Sequence, residues 1–172
     1  MKPIKDFDKI QASGDFERLP AGGYVIKITD AKDEPSKSYL AITFDIAEGK
    51  FAGHYKDVPA DLVAIHQFIR SYKDTAVGMF KAFTNAVEAS NDGYKWTWDE
   101  KTLVGKIVGV VMGEEEYENN RGEVKTGLKV RSCRPADAIR SGNYKVPEPK
   151  KLVKADAIPE GFTALADTDL PF

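Results

Sequence analysis

Strict alternation of side chains between Tyr39 and Ile46 constrains the fold of this chain more than any other feature of the sequence. Successive residues of a strand point to opposite faces of a sheet, so the alternation predicts a strand with one apolar face and one solvent-facing face. The apolar face comprises Leu40, Ile42, Phe44 and Ile46, and the opposite face Tyr39, Ala41, Thr43 and Asp45. An apolar sheet face must be covered, so the rest of the chain has to supply partner elements.

Four other segments show strand patterns and are separated by turn residues. The first, third, fourth and fifth strands are predicted at Tyr24–Ala31, His54–Val58, Leu103–Glu116 and Val124–Cys133. In the fifth, Leu128, Val130 and Ser132 are predicted to share one face, and Lys129, Arg131 and Cys133 the other. Gly105, Gly109 and Gly113 recur along the fourth, and glycine inside a strand often marks a bulge or a bend, as in a sheet that coils into a small barrel.

Between the third and fourth strands the apolar residues recur every three or four positions, which indicates helix. The predicted helices run from Ala60 to Tyr72 and from Thr75 to Ser90. Three strands, helical residues and two further strands is the element order of the oligonucleotide-binding (OB) fold. The sequence therefore predicts a mainly β protein, a five-stranded OB-fold barrel with a helical insert at about 60–92, although other α+β sheets share this order.

Periodic order is lost after position 135, where Pro147, Pro149 and Pro159 interrupt the sequence. We therefore predict an N-terminal extension at 1–18, a barrel domain at 19–134, and a flexible linker with an acidic C-terminal tip at 135–172. The first residues lack the apolar run of a signal peptide, and no segment reaches the ~20 apolar residues of a membrane span. We expect a cytoplasmic protein without a membrane segment.

Charge is divided between the body of the chain and its end. The formal net charge is −2, but the last 18 residues carry four acids and no Lys or Arg, which leaves 25 basic against 23 acidic residues elsewhere. The body is therefore mildly basic and the tail acidic. This sign suits a protein that binds nucleic acid with its body, provided that the cations lie on one face.

Single-strand binding requires cations for the phosphates and exposed rings on which bases stack. The outward faces and hairpin turns of the predicted strands carry both kinds of side chain. The candidate DNA-binding residues are Lys27, Lys37, Tyr39, His54, Tyr55, Lys56, Tyr117, Arg121, Lys125, Lys129 and Arg131. Each of these, taken singly, could equally be a solvated charge or a packed ring, and three acids at Glu114–Glu116 oppose phosphate binding beside the last hairpin.

Other chemistries receive less support from the sequence. Trp96 and Trp98 are expected to cap the core or the helical insert rather than to stack on bases. His54 and His66 lack metal-ligand spacing, and Cys133 has no apparent activating partner, so we expect no catalytic residue, cofactor or metal. A small hydrolase or nuclease with metal ligands at Glu114–Glu116 is the least favoured alternative.

The last six residues form an acidic hexapeptide with two apolar residues, Leu170 and Phe172, that we expect to be exposed. Pro171 biases Leu170 towards an extended backbone, and the acids with the terminal carboxylate could face Lys or Arg of a partner. The hexapeptide resembles the acidic, Pro-Phe-terminated tip of bacterial single-stranded DNA-binding proteins, although Thr168 interrupts the acids here. The resemblance implies that Asp167, Asp169, Leu170, Pro171 and Phe172 recruit replication and repair proteins.

A wider resemblance covers roughly residues 19–134. The stretches Arg70–Phe83, Leu103–Lys106 and Gly113–Tyr117 resemble phage and prophage single-stranded DNA-binding proteins of Gram-positive bacteria. The resemblance implies an OB-fold that binds single-stranded DNA in phage replication and recombination, in the host cytoplasm, with phage or host proteins as partners. An adaptor that assembles a recombination complex without binding DNA is the alternative, and the oligomeric state is left open between a monomer and a homo-oligomer.

Overall fold

A five-stranded antiparallel sheet forms most of the computed structural model, which describes residues 2, 3, 5 and 18–153. The strands are β1 (Gly22–Glu34), β2 (Tyr39–Ile46), β3 (Gln67–Ser71), β4 (Ile107–Glu118) and β5 (Val124–Arg134). Two α-helices, α1 (Val77–Ser90) and α2 (Ala136–Arg140), lie in the described part of the chain. Short 3₁₀ helices cover Pro35–Lys37, Ala60–His66 and Glu100–Leu103. No helix in this part is long and apolar enough to cross a membrane.

The strands lie in the order β3-β2-β1-β4-β5, and every neighbouring pair is antiparallel. The predicted mainly β architecture, with five strands, is confirmed, and α1 lies between β3 and β4 in the chain. In the described residues β3 and β5 form the two edges of an open sheet, because no backbone ladder joins them. The alternation at Tyr39–Ile46 predicts β2 with its observed bounds.

The main core lies between one face of this sheet and α1. Cross-strand pairs such as Ile26 with Ile46 and Ile28 with Phe44 stack their side chains on that face. Phe80 and Phe83 come from α1, which contacts β3, β4 and β5. Since α1 reaches both edge strands, it covers the gap between them.

The third strand lies at Gln67–Ser71, so the prediction of a strand at His54–Val58 is wrong. Residues His54–Val58 form turns rather than a strand, and the helix expected over Ala60–Tyr72 is replaced by a 3₁₀ helix followed by β3. Phe68 and Arg70 of β3 lie opposite Ile42 and Leu40 of β2 and are buried with them. Residues 67–71 are extended because they pair with the buried strand β2. The sequence of so short a segment does not reveal this pairing.

Two side chains of β5 have exchanged faces relative to the prediction. The ladder pairs Val111 with Ser132 but Met112 with Val130, so Arg131 is an extra residue at a bulge. A bulge shifts every residue beyond it by one position, and Cys133 therefore lies opposite Val110 and packs against the core. Ser132 takes the outer face instead.

The segment 135–153, predicted as the start of a flexible linker, packs on the outer face of β1 and β4. The side chain of Ile139 and the backbone of Pro135 lie against Gly109, the Tyr144 ring lies on Gly23, and Pro147 lies on Gly113. Under this segment Val25 and Val111, on the face opposite the main core, are 4 % and 1 % exposed. The strand glycines therefore mark close approach of a second layer.

Beyond Pro147 the chain continues as a short parallel addition to the sheet. β4 extends past its last pair with β1, which joins Gly22 to Met112, so its edge is open from Gly113 onward. Lys150 pairs with Glu115 on that edge: its amide donates to the Glu114 carbonyl oxygen, and its carbonyl oxygen accepts from the Glu116 amide, both at 2.9 Å. The backbone of the segment is thus tied to the sheet up to this point.

Candidate nucleic-acid interface

The outer face of the β4–β5 hairpin brings together the largest group of predicted DNA-binding residues. Tyr117 lies directly opposite Lys125, and Lys129 lies opposite Gly113, on the same face of the ladder. The Tyr117 ring lies across Gly127, where an added Cβ would meet it at 3.1 Å, yet 47 % of the residue remains exposed. The hairpin therefore presents a ring between two cations.

Two of the acids beside this face, Glu115 and Glu116, have hydrogen-bond partners within the chain. Oε2 of Glu115 accepts from Arg131 Nη1 at 3.3 Å, and its Oε1 accepts from Lys150 Nζ at 3.1 Å. Oε2 of Glu116 accepts from the Leu152 amide at 3.0 Å. Glu115 and Glu116 thus hold the C-terminal segment, and two cations surround Glu115, so this acidic run opposes a phosphate less than the sequence suggests.

Two of the predicted cations on the hairpin have acidic neighbours. Arg131 is committed to Glu115, with both side chains about one-third exposed. Lys125 lies 3.4 Å from Glu123, and both side chains are more than half exposed. Exposed pairs of this kind stabilise by ~0–1 kcal/mol, so the Lys125 ammonium can leave Glu123 for a phosphate at little cost. Arg121 is exposed in the hairpin turn, where its backbone amide donates to Asn119 Oδ1 at 2.9 Å.

Lys27, Lys37 and Tyr39 lie elsewhere on the sheet. Lys27 is paired in the ladder with Asp45, and Tyr39 with Glu34, so acids flank both residues on the outer face of β1 and β2. Lys37 is exposed in the turn between these strands. Because β1 runs from beside the β4–β5 hairpin to this turn, Lys37 and Tyr39 lie at the opposite end of the sheet from Tyr117.

The triplet His54–Lys56 lies in the connection between β2 and β3. The Tyr55 ring stacks on His66, with centroids 5.1 Å apart, and meets Phe44 edge-on at 5.7 Å. Burial, and after it the Asp45 carboxylate, raises the pKa of Tyr55. The Tyr55 ring therefore packs on the end of the core, and the His54 ring lies edge-on against it at 4.8 Å. Lys56 is exposed.

Trp98 is an exposed ring for which the sequence predicts a capping role. It is 80 % exposed and has a left-handed backbone, φ 62°, which is unfavourable for a bulky residue. One side of the indole lies parallel to Phe80 at a centroid distance of 6.5 Å. Trp96 meets Phe80 edge-on at 6.1 Å and packs against the core, so capping describes Trp96, whereas Trp98 offers a free face.

The predicted partner-binding residues Asp167, Asp169, Leu170, Pro171 and Phe172 lie outside the described residues. Two cations of the described part of the chain, Arg134 and Lys145, are absent from the residues predicted from the sequence. Both line a cavity beside the end of β5. Arg134 continues the basic side chains of β5, a signal that the bulge at Arg131 obscures.

Comparison with models of known protein families finds no match to this chain. Comparison with curated proteins finds no match either.

Proposed function

We propose that this chain is a sequence-tolerant, non-enzymatic single-stranded DNA-binding protein whose sheet is a partly open OB-type barrel. The strand would lie along the basic outer face of the β4–β5 hairpin. Partner proteins would be recruited through the C-terminal tip. The setting in phage replication and recombination rests on the sequence resemblance alone.

The order of the sheet supports the OB-type assignment. Closing the order β3-β2-β1-β4-β5 into a barrel requires β3 to meet β5, and an OB barrel is often only partly closed there. Arg70 of β3 donates from Nη2 to Cys133 Sγ of β5 at 3.2 Å, so the edges approach within side-chain reach. α1 lies across the same gap.

One observation carries the functional proposal: the hairpin between β4 and β5 has a face on which cations flank an exposed ring and on which Glu115 is paired with Arg131 and Lys150. The loop between the last two strands is one of those that OB-folds use for oligonucleotides. Stacking of a base on an aromatic ring is worth ~1–3 kcal/mol, and each phosphate contact adds salt dependence. Base stacking would come from Tyr117, and the phosphate contacts from Lys125 and Lys129.

Titration of fluorescent oligo-dT tests the proposal directly. We expect tight binding at low salt that weakens steeply as salt rises, and much weaker binding to duplex DNA of the same length. Absence of oligo-dT binding at low salt would exclude the function.

Variants of the hairpin locate the interface. Lys129→Ala should weaken binding and reduce the slope of log K against log salt by ~0.7, the value of one phosphate contact to a single strand. Tyr117→Ala should lose the ~1–3 kcal/mol of one stacked base. Lys81→Ala, an exposed lysine on α1, is the matched control. Tyr39→Ala tests the other end of the sheet, and an unchanged affinity there would remove Tyr39 from the interface.

A protein-interaction adaptor is a second candidate, and an exposed apolar group on the chain favours it. Leu62, Ile65 and Ile69 are each about half exposed and follow one another through the 3₁₀ helix into β3. Apolar patches of this kind often mark protein contacts. The adaptor would be favoured if the protein did not bind oligo-dT and if Ile69→Ser abolished its binding to a purified partner protein.

A further inference from the structure

A cavity of about 630 Å³ lies between the end of β5 and the segment that follows α2. It is lined by Arg134, Pro135, Ala138, Gly142, Asn143, Tyr144 and Lys145. The cavity is open to solvent, since Arg134, Gly142, Asn143 and Lys145 are exposed, and its volume is large enough for one nucleotide. None of the predicted DNA-binding residues belongs to it.

The lining is cationic. Arg134 and Lys145 contribute two positive charges, and no Asp or Glu lines the cavity. Within the described residues neither cation forms an ion pair. The acid of α2, Asp137, is paired with Arg140, whose guanidinium also bonds to Glu48. An anion entering the cavity would therefore meet two uncommitted cations.

The backbone of the cavity wall is preformed. Gly142 has φ 73°, and the amides of Gly142 and Asn143 donate to carbonyl oxygens of Ile139 and Ala138 at 3.1 and 2.8 Å. These bonds satisfy two carbonyl oxygens at the end of α2 and fix the course of the turn. The Tyr144 ring, packed on Gly23, anchors the other end of the turn.

The cavity continues the basic face of β5. Arg134 pairs with Gly109 and Lys129 with Gly113, on the same outer face of the ladder. Four ladder positions, from Gly109 to Gly113, separate them, so at ~3.3 Å per residue they lie about 13 Å apart, with the bulged Arg131 between them. A single strand held at Lys129 can therefore reach the cavity with its next few phosphates.

We propose that this cavity binds one nucleotide of the bound single strand, with Arg134 and Lys145 holding its phosphate. The planar guanidinium can donate two hydrogen bonds to phosphate oxygens, while the lysine ammonium acts as a point charge. The side-chain carboxamide of Asn143, which lines the cavity, is a further polar group for the sugar or base edge. This inference rests on the proposed function, because it places the cavity on the path of the strand.

The first test measures oligo-dT affinity against salt for wild type and for the double variant Arg134→Gln/Lys145→Gln. The charge-matched control is Lys73→Gln/Lys81→Gln, which also removes two exposed positive charges. Loss of two phosphate contacts should reduce the slope of log K against log salt by ~1.4 and lower affinity at low salt. Thermal melts establish that the double variant is folded. Wild-type affinity and slope in the double variant would overturn the proposal.

The second test separates the cavity from the strand-binding function. Thymidine 5′-monophosphate, thymidine and inorganic phosphate are titrated while the amide resonances of Gly142, Asn143 and Lys145 are followed by NMR. We expect the monophosphate to shift them, thymidine to leave them unchanged, and the double variant not to respond. Shifts without oligo-dT binding would exclude the proposed function but keep the cavity as a nucleotide site. Oligo-dT binding without any shift would exclude the cavity alone, and equal shifts with inorganic phosphate would reduce it to a simple anion site.

Discussion

At the scale of single residues, three glycines on one face of the sheet decide how closely a second layer can approach. An added Cβ on Gly23, Gly109 or Gly113 would lie 2.5–2.6 Å from an atom of the segment 135–147. Real Cβ atoms do not approach other atoms so closely, so the neighbouring side chain would have to move. These glycines matter because they have no side chain, which leaves room for the second layer. From the sequence alone, a glycine within a strand indicates only a bulge, a bend or a less stable strand.

Gly23→Ala should destabilise the protein by about 1–3 kcal/mol, because the new methyl group overlaps the Tyr144 ring. Chemical denaturation measures the loss, and Gly23→Ala/Tyr144→Ala should show almost no further loss relative to Tyr144→Ala. Gly78→Ala is the control. Gly78 lies in α1, and no atom lies within 4 Å of the position that its new methyl group would take, so alanine there should stabilise by roughly 0.5–1 kcal/mol. Equal effects at both glycines would contradict the packing of Tyr144.

Tyr24 makes stability sensitive to alkaline pH. Burial, followed by the nearby Tyr55 and Tyr144, raises its pKa to about 12 from 10.0. Between these values the unfolded chain loses the phenolic proton while the folded chain keeps it, so the free energy of unfolding falls as pH rises from 10 to 12. Tyr24→Phe should flatten the decline in melting temperature over this range. A decline as steep as in wild type would assign the effect to other groups, such as Tyr55, whose pKa burial also raises.

At the scale of elements, β1 and β4 are buried on both faces, and the covering layer on the outer side is the segment 135–153. Ile26, Val108 and Val110 face the main core, whereas Val25 and Val111 face this segment. The segment has little regular structure beyond the five residues of α2. The segment is held in place by contacts with the outer face of β1 and β4. Because its own residues show no helix or strand period, its sequence predicts a linker.

Truncation separates this layer from the rest of the tail. A chain ending at Val153 should retain the wild-type free energy of unfolding. A chain ending at Arg134 should lose about 3–6 kcal/mol, since it exposes Val25 and Val111 at ~1.5–3 kcal/mol each. Urea denaturation of both chains checks the difference. Equal stability of the two truncations would show that the segment does not contribute to the folded core.

Arg70 is the side chain that joins the two edges of the sheet. It is 5 % exposed, lies over the Phe68 ring at 4.7 Å, and donates to the Ile69 carbonyl oxygen and to Cys133 Sγ. A double-mutant cycle of Arg70→Met and Cys133→Ala should give a coupling of about 0.5–1.5 kcal/mol, as for one hydrogen bond. Strict additivity of the two substitutions would mean that this contact does not hold the edges together.

At the scale of the whole molecule, DNA binding and partner recruitment are expected to belong to different parts of the chain. The cations and rings lie on the described sheet, whereas the predicted docking peptide is the last six residues of the chain. Deletion of Leu170–Phe172 should leave oligo-dT affinity within a factor of two and abolish recruitment of a partner that reads the tip. Paired DNA titration and binding assays measure both. A large loss of DNA affinity would show that the two roles are coupled.

The local periods of the chain can be read from its residues alone. The alternation at Tyr39–Ile46 predicts β2, and the three- and four-residue spacing predicts α1. The turn residues between the fourth and fifth predicted strands separate them as a hairpin. Each of these signals depends only on neighbouring residues. The same reading predicts that Lys129 lies on the outer face of β5. These are the parts of the fold and of the candidate interface for which no distant contact is needed.

The remaining features depend on tertiary contacts. Residues 67–71 form β3 because they pair with the buried strand β2. Cys133 faces the core because the bulge at Arg131 leaves one residue of β5 unpaired and shifts the residues after it to the opposite face. The segment 135–153 became ordered because the glycines of β1 and β4 let it approach, and its approach created the cavity that contains Arg134 and Lys145. In each case the deciding free energy comes from contacts between residues that are distant in the sequence, and such contacts leave no local period.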